Sequence, residues 1–247
     1  MSVLVTGGGS GIGEGTARHL ASLGARVTIS GRRADKVEAV ASAIGERCRC
    51  VVGDVTVPAD RDRMIRAAVE HGGGLEVLVN NAGNMYRGPL AELDEVELLE
   101  VFHTNVVGGM MLAQGALPHL VERRGAIIFI GSVHSVRAFP GASPYAATKG
   151  AIETLTGVLA AELGPQGIRV STVRPGAVLT EINQRAGLFD DEEAAARLDA
   201  MAPAHAVGRI GTATEIAEAI EYLARAEWTT GAVMTVDGGL GLGVTNA

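Results

Sequence analysis

The chain has 247 residues and carries 21 basic against 28 acidic side chains, which gives a net charge of −7. This acidic balance argues against a nucleic acid or an anionic membrane as the main partner, because both favour a basic protein face. Hydrophobic residues make up 47% and charged residues 20% of the chain, which excludes intrinsic disorder. The 34 glycines follow no period, so a collagen-like fold is excluded as well.

Strand and helix patterns alternate along the first half of the chain. Strands are predicted at Val3–Thr6, Ala25–Ser30, Cys48–Val52 and Leu75–Asn80, and helices at Gly11–Leu23, Ala34–Ile44 and Pro58–His71. Glycines follow each of the three helices, and glycine is the residue that most often ends a helix.

The same alternation continues through the second half. A helical stretch, broken or continuous, opens at the capping sequence Asp94-x-x-Glu97 and reaches Glu122. Two later helices are predicted, one from an N-cap at Ser143 to Leu163 and one from Thr212 to about Ala226. The remaining strands are predicted at Ala126–Ile130, Arg169–Val173 and Ala232–Val236.

Apolar strands that alternate with helices predict an α/β fold, in which a doubly wound parallel seven-stranded sheet carries helices on both faces. We expect a single domain over residues 1–247. A closed eight-stranded barrel has a similar length, but seven strands with a glycine loop after the first favour the open sheet. The segment 181–209 contains no strand and follows the sixth strand, so we predict a substrate-side lid there.

The apolar runs and the cysteines indicate a compartment. No apolar run approaches the roughly 18 residues of a membrane helix, so we expect no membrane partner. A signal peptide does not fit either, because the first strand leads directly into a glycine loop. Cys48 and Cys50 alternate on one strand, and no Cys or His cluster supplies a metal site. These features predict a cytoplasmic protein with free thiols and no bound metal.

A glycine loop, Thr6-Gly7-Gly8-Gly9-Ser10-Gly11-Ile12-Gly13, joins the first strand to the first helix. Glycine allows the backbone to approach a ligand closely, and the N–H groups at a helix start attract an anion. The spacing G-x-x-x-G-x-G lacks the lysine of a nucleotide-triphosphate loop, which argues against nucleotide hydrolysis. The loop predicts a dinucleotide site, with a flexible turn as the alternative.

The second predicted strand ends in Ser30-Gly31-Arg32-Arg33, which indicates the type of cofactor. An NAD site usually presents a carboxylate at this point, whereas an arginine fork suits a 2′-phosphate. The sequence therefore favours NADP (NADPH). NAD is the less favoured alternative, since Asp35 lies past the strand end, and two solvated arginines are the plainer interpretation.

A tyrosine and a lysine lie one helical turn apart in the helix that begins at Ser143. The chain has 3 tyrosines and only two lysines, yet Lys149 falls four residues after Tyr145, so both side chains share one helix face. Lowering the pKa of a phenol from about 10 to about 7 takes roughly 4 kcal/mol. One cation at about 4 Å supplies that much at an effective dielectric constant of about 20. The pair is suited to general acid–base catalysis at neutral pH, with an ordinary surface pair as the alternative.

Several motifs follow one another in a fixed order. They are Thr6-Gly7-x-x-x-Gly11-x-Gly13, Asn80-Asn81-Ala82-Gly83, Ser132 with Tyr145-x-x-x-Lys149, Pro175-Gly176-x-x-x-Thr180 and Val236-Asp237-Gly238-Gly239. Together they resemble the short-chain dehydrogenase/reductase family over essentially the whole chain. The resemblance implies hydride transfer between NADP(H) and a carbonyl or secondary alcohol substrate.

The resemblance also implies roles for single residues. Tyr145 would move the proton, Lys149 would lower its pKa, Ser132 would bind the substrate oxygen and Asn105 would anchor a water relay. His134, two residues after Ser132, either contacts substrate or is a satisfied polar loop residue. The implied cofactor-binding set is Gly7, Gly9, Ser10, Gly11, Ile12, Gly13, Arg32, Arg33, Asp54, Val55, Asn81, Ala82, Gly83, Tyr145, Lys149, Pro175, Gly176, Val178 and Thr180.

Three other functions compete with this interpretation. A 3-oxoacyl-carrier reductase would present arginines to an acidic carrier; Arg123 and Arg124 suit that role, but Gln166 stands where another arginine is expected. A non-catalytic NADP-binding regulator would have no need of a tuned phenol. A sugar-nucleotide epimerase or dehydratase would carry a C-terminal substrate domain that this chain lacks.

The substrate and the assembly are less well defined by the sequence. Leu188, Phe189 and Met201 in the predicted lid indicate a small or medium apolar ketone or alcohol. The predicted helix from Ser143 to Leu163 has little polar surface, so it should be covered by another subunit. The resemblance implies a homotetramer, with a homodimer as the alternative.

Overall fold

The computed structural model describes residues 1–180, 196 and 200–243. Seven strands, β1 to β7 in chain order, form one sheet, and all seven run parallel. They span Ser2–Thr6, Arg26–Gly31, Cys48–Val52, Val77–Asn80, Ala126–Ile130, Arg169–Pro175 and Val233–Val236. The described helices, α1 to α7, span Gly11–Ser22, Ala34–Ile44, Pro58–Gly72, Glu95–Phe102, Gly108–Arg123, Ser143–Leu163 and Ala213–Arg225.

The strand order is β3-β2-β1-β4-β5-β6-β7, which confirms the predicted doubly wound sheet. Strands β2 and β3 lie in turn on one side of β1. The later strands, β4 to β7, follow one another on the other side of β1. The point where this order reverses lies between β1 and β4, and open parallel sheets bind ligands at such a point. The glycine loop after β1 and the Asn80-Asn81 pair after β4 lie there together.

Helices cover both faces of the sheet, and the side chains of one strand alternate between the two layers. Val3 and Val5 of β1 pack in the core with α1, α2 and α7, whereas Leu4 packs in the core with α3, α5 and α6. Both layers consist mainly of fully buried aliphatic side chains. This is the two-layered packing expected for an α/β sheet that is covered on both faces.

The predicted elements are confirmed, with differences at their ends. The predicted N-cap at Ser143 is wrong, because the N-cap of α6 is Ala142. Ala142 is buried, and its backbone N–H donates to the carbonyl oxygen of Phe139, so a turn fixes this residue at the start of the helix. The stretch predicted from Asp94 to Glu122 is broken by a π-helical turn at His103–Val107. Thr212 and Glu215 form a full capping box at α7, as predicted.

Three findings concern the other expectations. No helix in the described ranges combines the length and the apolar character that crossing a lipid bilayer demands. The predicted lid, 181–209, lies outside the described residues except for 196 and 200–209, so Leu188 and Phe189 are not described. Cys48 and Cys50 are both free thiols on β3, and burial raises the pKa of Cys48 to about 11.

Candidate active site

Two adjoining pockets form a cleft along the carboxyl edge of the sheet, over the ends of β1 to β6. Its two halves share Gly7, Ser10, Ala82 and Gly83. We call the half that contains Tyr145 the catalytic end and the half that contains Arg32 the arginine end. The catalytic end is also lined by Gly11, Ile12, Asn81, Ser132, His134, Lys149, Pro175, Gly176, Val178 and Thr180. The arginine end is also lined by Gly9, Arg33, Lys36, Asp54 and Val55.

The glycine loop forms the floor between the two ends. Gly7 and Gly11 have φ angles of +65° and +56°, a conformation that side chains with a Cβ rarely adopt. The Ser10 side chain makes no capping hydrogen bond to α1 in the described structure, so the first N–H groups of this helix are available to an anionic ligand. A Cβ on Gly13 would collide with the carbonyl oxygen of Gly7, so Gly13 lets the helix pack closely on the loop.

Asn81 holds the loop against the end of β4. Its side-chain amide donates to the carbonyl oxygens of Thr6 at 2.8 Å and Gly7 at 3.2 Å. The Thr6 hydroxyl in turn accepts the backbone N–H groups of Asn81 and Ala82. These bonds connect the two strand ends on either side of the point where the strand order reverses.

Three cations gather at the arginine end of the cleft. The Arg32 guanidinium lies 3.7 Å from the Asp54 carboxylate, and its side chain remains 58% exposed. Arg33 donates to the Ser10 hydroxyl at 3.1 Å, which brings a second guanidinium to the start of α1. Lys36 lines the same end. The predicted pair Arg32 and Arg33 therefore lies at one end of a cleft that leads to Tyr145.

Tyr145 and Lys149 lie together on the buried face of α6. The Lys149 ammonium is 5.4 Å from the centre of the Tyr145 ring, and it donates to the carbonyl oxygen of Ile130 at 2.7 Å. Burial lowers the pKa of Lys149 to about 8, although the nearby Glu153 carboxylate acts in the opposite direction. At neutral pH the ammonium is therefore mostly protonated and lies beside the phenol.

Ser132 and His134 form the wall opposite α6, in a short turn after β5. The Ser132 hydroxyl is 3.0 Å from His134 Nδ1. The imidazole stacks on Phe139 at 4.3 Å and meets the edge of the Tyr145 ring at 5.2 Å. Burial, followed by the charges of Arg87 and Lys149, lowers the pKa of His134 to about 4. The imidazole is therefore neutral at pH 7.

Asn105 lies in the π-helical turn and does not line the cleft. Its amide donates to the Asn84 carbonyl at 2.9 Å and to the Thr148 hydroxyl at 3.0 Å, and its oxygen accepts the Asn84 N–H at 2.8 Å. Thr148 precedes Lys149 in the chain, so Asn105 connects the loop after β4 to the turn of α6 that carries the lysine. The water relay predicted for Asn105 remains a prediction.

Comparison with known proteins agrees with this geometry. The family model described as enoyl-(acyl carrier protein) reductase matches residues 7–241. The chain belongs to the short-chain dehydrogenase/reductase family. It is therefore an oxidoreductase, as the ordered motifs predicted.

Individual members of the family resemble the chain over nearly its whole length. A glucose 1-dehydrogenase of Gluconobacter oxydans (strain 621H) is 36% identical, with 97% of this chain and 91% of the relative covered. A gluconate 5-dehydrogenase of the same organism is 37% identical, with 96% and 93% covered. The solved structure of a 3-ketoacyl-(acyl-carrier-protein) reductase from Brucella melitensis, complexed with NADH, is 32% identical with a TM-score of 0.87, and 97% of each chain is covered.

The residues that the family resemblance implied come together with two exceptions. Gly13 packs beneath the loop, and Asn105 lies behind the cleft, whereas every other residue implied for catalysis, cofactor or substrate lines it. Met201, from the described end of the predicted lid, also lines the catalytic end. Among the described residues, no three His, Cys, Asp or Glu side chains lie close enough to bind a metal ion.

Sequence reasoning missed several residues of this short-chain dehydrogenase/reductase site. Arg87 and Phe139 line the catalytic end and Lys36 lines the arginine end. Arg87 lies in the loop after β4, and a cation in a loop at the carboxyl edge was the available signal. Glu153 lies one turn after Lys149, and its carboxylate accepts from Ser135 at 2.6 Å and from Arg174 at 2.7 and 2.8 Å.

Proposed function

We propose that the protein transfers a hydride between NADP(H) and a carbonyl or secondary alcohol, with Tyr145 as the general acid–base. The observation that carries this proposal is the single cleft that joins an anion-binding helix start to a buried Tyr145–Lys149 pair beside Ser132. A dinucleotide has this same layout, since its phosphates lie between an adenosine and a reactive nicotinamide.

The residues present fit such a cofactor. The glycine loop brings bare backbone to the middle of the cleft, where the pyrophosphate would lie on the start of α1. Asp54 and Val55 would contact the adenosine, and Asn81, Ala82 and Gly83 would lie beside the ribose. Pro175, Gly176, Val178 and Thr180 would border the nicotinamide. When bound, the nicotinamide gives or takes the hydride.

NADP is favoured over NAD by the charges at the arginine end. Arg32, Arg33 and Lys36 line this end, and its carboxylate, Asp54, already faces Arg32 at 3.7 Å. A guanidinium binds a 2′-phosphate well and cannot accept a hydrogen bond from a ribose hydroxyl. The Brucella relative was solved with NADH, so NAD remains the alternative.

The chain's own groups would handle the proton. Tyr145 would give its phenolic proton to the carbonyl oxygen during reduction and take it back during oxidation. The Lys149 ammonium would favour the phenolate and would donate to the ribose, in place of its present bond to Ile130. Ser132 would hold the substrate oxygen, and the neutral His134 would fix the direction of the Ser132 hydroxyl.

A carrier-bound 3-oxoacyl substrate is the second candidate. The description of the family model and the name of the Brucella relative both favour it. Arg123 and Arg124 line a groove with Arg169 and Arg225, which would suit an acidic carrier. They precede β5, however, and therefore lie at the amino edge of the sheet, about 17 Å from the Ser132 end of that strand. This distance weighs against an acidic carrier that docks there and reaches the cleft of the same chain.

We also propose that the enzyme is a homotetramer or a homodimer in the cytoplasm, and that 181–209 closes over the substrate as a lid. The exposed side of α6 carries mainly small or apolar side chains near Gly150 and Gly157, among them the half-exposed Val158, and a Cβ at either glycine would meet nothing within 4 Å. Such a surface allows the close approach of a second helix.

The substitution Tyr145→Phe tests the proposed function. We expect NADPH oxidation across a panel of carbonyl compounds to fall by at least about a thousandfold, because the aromatic packing stays while the proton donor is lost. NADPH affinity, measured by fluorescence titration, should change by less than about threefold. Turnover equal to that of the wild type would refute the role of Tyr145, and a wild type that binds NADPH without reducing any carbonyl would favour the regulator.

A further inference from the structure

Arg87 is a cation at the catalytic end of the cleft that the proposed proton transfer does not use. It lies in the loop between β4 and α4 and is partly buried. Within the described part of the chain, its guanidinium has no hydrogen bond or ion pair. A half-buried arginine without a partner is unusual, because removing a guanidinium from water is costly unless a carboxylate or phosphate compensates.

The backbone on both sides of Arg87 is held in place. Asn84 exchanges two hydrogen bonds with Asn105, and the Tyr86 hydroxyl accepts the backbone N–H of Asp94 at 2.7 Å. After Arg87, the N–H of Gly88 donates to the carbonyl oxygen of Gly141 at 2.9 Å. The loop that carries Arg87 is thus fixed to the π-helical turn, to α4 and to the loop before α6. Such anchoring lowers the entropic cost of ordering this loop when a ligand binds.

The charge of the catalytic end is positive although the chain is acidic. Among its described lining residues the charged side chains are Arg87 and Lys149, and none is a carboxylate. Lys149 is 5% exposed and already donates to Ile130 behind the Tyr145 ring. Arg87 therefore remains as the other cation that lines the catalytic end, together with Ser132 and His134.

Arg87 also lies at a defined place relative to the reacting oxygen. Its charge is close enough to His134 to lower the pKa of that imidazole, and His134 contacts both Ser132 and the Tyr145 ring. It lines the catalytic end but not the arginine end, where the phosphate-binding cations gather. A group held by Arg87 would thus share the catalytic end of the cleft with a carbonyl held at Ser132 and Tyr145.

We propose that Arg87 binds an anionic group of the substrate, so that the enzyme acts on short oxo acids or hydroxy acids rather than on neutral ketones or alcohols. The planar guanidinium can hold a carboxylate through two parallel hydrogen bonds, and this would fix the carbonyl against Ser132 and Tyr145. This inference rests on the proposed function and replaces the apolar substrate that the lid side chains alone suggested.

The test compares oxo acids with their methyl esters, which keep the carbonyl and remove the charge. The 2-, 3-, 4- and 5-oxohexanoates and their esters are each reduced with NADPH by the wild type, Arg87→Met, Arg87→Lys and the surface control Arg66→Met. We expect the wild type to prefer at least one acid over its ester by roughly 10- to 100-fold in kcat/KM, the range of a charged hydrogen-bonded pair.

In Arg87→Met this preference should disappear, mainly through a higher KM for the acid, so that the acid and its ester are reduced with similar kcat/KM. Arg87→Lys should recover part of the preference, and Arg66→Met should behave as the wild type does. An equal preference for acids and esters in the wild type, or an unchanged preference in Arg87→Met, would overturn the inference.

A binding experiment separates this inference from the proposed function. Hexanoate, which lacks the carbonyl, is titrated calorimetrically into the wild type and Arg87→Met in the presence of NADP. Binding that weakens at least tenfold in Arg87→Met supports the site even if the wild type reduces none of the carbonyls, in which case only the proposed function has failed. Equal binding, or none in the wild type, would refute the anion site.

Discussion

At the scale of single residues, the site depends on a lysine that is expensive to bury. Lys149 is 5% exposed, and its depressed pKa shows that the fold disfavours its charge. Only one hydrogen bond, to Ile130, satisfies the ammonium in the described structure. We infer that the chain keeps this lysine for its effect on Tyr145 and at the expense of stability.

Replacing this lysine should therefore stabilise the protein while inactivating it. The pKa of Lys149 is about 8 in the folded protein and about 10.4 in the unfolded chain. The free-energy penalty for burying the charged ammonium is therefore fully present below pH 8, and it disappears as the pH rises from about 8 to about 10.4. The difference corresponds to about 3 kcal/mol, of which the lost bond to Ile130 offsets about 1 kcal/mol. We expect the free energy of unfolding of Lys149→Met, measured by urea titration at pH 7, to exceed that of the wild type by about 2 kcal/mol.

The difference in free energy of unfolding between Lys149→Met and the wild type should shrink between pH 8 and pH 10, because Lys149 of the wild type then loses its buried charge. Taking this difference at each pH removes the pH dependence of the titratable groups that both proteins share. A variant that is less stable than the wild type at pH 7, or a gap that does not depend on pH, would contradict this account of Lys149.

The proposed preference for NADP also depends on single residues. Arg32 is largely exposed, and its contacts to Asp54 at 3.7 Å and to the Asn84 side-chain oxygen at 3.5 Å are both long, so it is available to a 2′-phosphate. We expect the wild type to bind NADPH more tightly than NADH, and Arg32→Ala to lose about tenfold in NADPH affinity with little change for NADH. Fluorescence titration measures both constants, with Arg18→Ala on α1 as the control. No preference in the wild type would favour NAD.

At the scale of elements, α6 has two different faces. The buried face holds Tyr145, Thr148, Lys149, Ile152 and Thr156 at helical spacing. The opposite face includes the small residues Ala147, Gly150 and Gly157, which form few interactions with water and allow another helix to approach closely. One helix thus supplies the proposed catalytic pair on one side and a candidate subunit contact on the other.

The substitution Gly157→Glu tests the contact. A charged side chain buried between helices is strongly unfavourable, so we expect the molar mass from light scattering to fall to that of a smaller species. In an isolated helix the same change removes a glycine and stabilises it by up to about 1 kcal/mol, so dissociation would not reflect unfolding. Arg66→Glu on α3 is the control. An unchanged oligomer would exclude this face from the interface.

The helices and strands also show which features of the fold can be predicted from the sequence and which cannot. Every strand was predicted within two residues at each end, because apolar runs between glycines and caps are local signals. The π-helical turn and the Ala142 cap were missed, because each depends on tertiary contacts: Asn105 bonds to Asn84 and Thr148, and Ala142 is buried. Tyr145 and Lys149 were found because helical spacing joins them, whereas Arg87 and His134 line the same end of the cleft only because the fold brings their loops together.

At the scale of the whole molecule, charge is distributed unevenly. The chain carries a net charge of −7, yet Arg32, Arg33, Lys36, Arg87 and Lys149 all line the one cleft. Apart from Asp54, the charged side chains described along the cleft are cationic, so a mostly positive cleft in an acidic protein focuses its field on anionic ligands that enter. The sheet makes this arrangement possible, because the ends of its parallel strands bring residues from distant parts of the sequence to one edge.

The measurement that tests the account most directly follows the hydride itself. NADPH carrying deuterium at both positions of the nicotinamide C4 is incubated with the enzyme and the oxo acids, and the product alcohols are analysed by mass spectrometry and NMR. The account predicts deuterium on the carbinol carbon with the wild type and almost none with Tyr145→Phe. Bound NADPH whose deuterium reaches no carbonyl carbon, of an oxo acid or a neutral ketone, would contradict it.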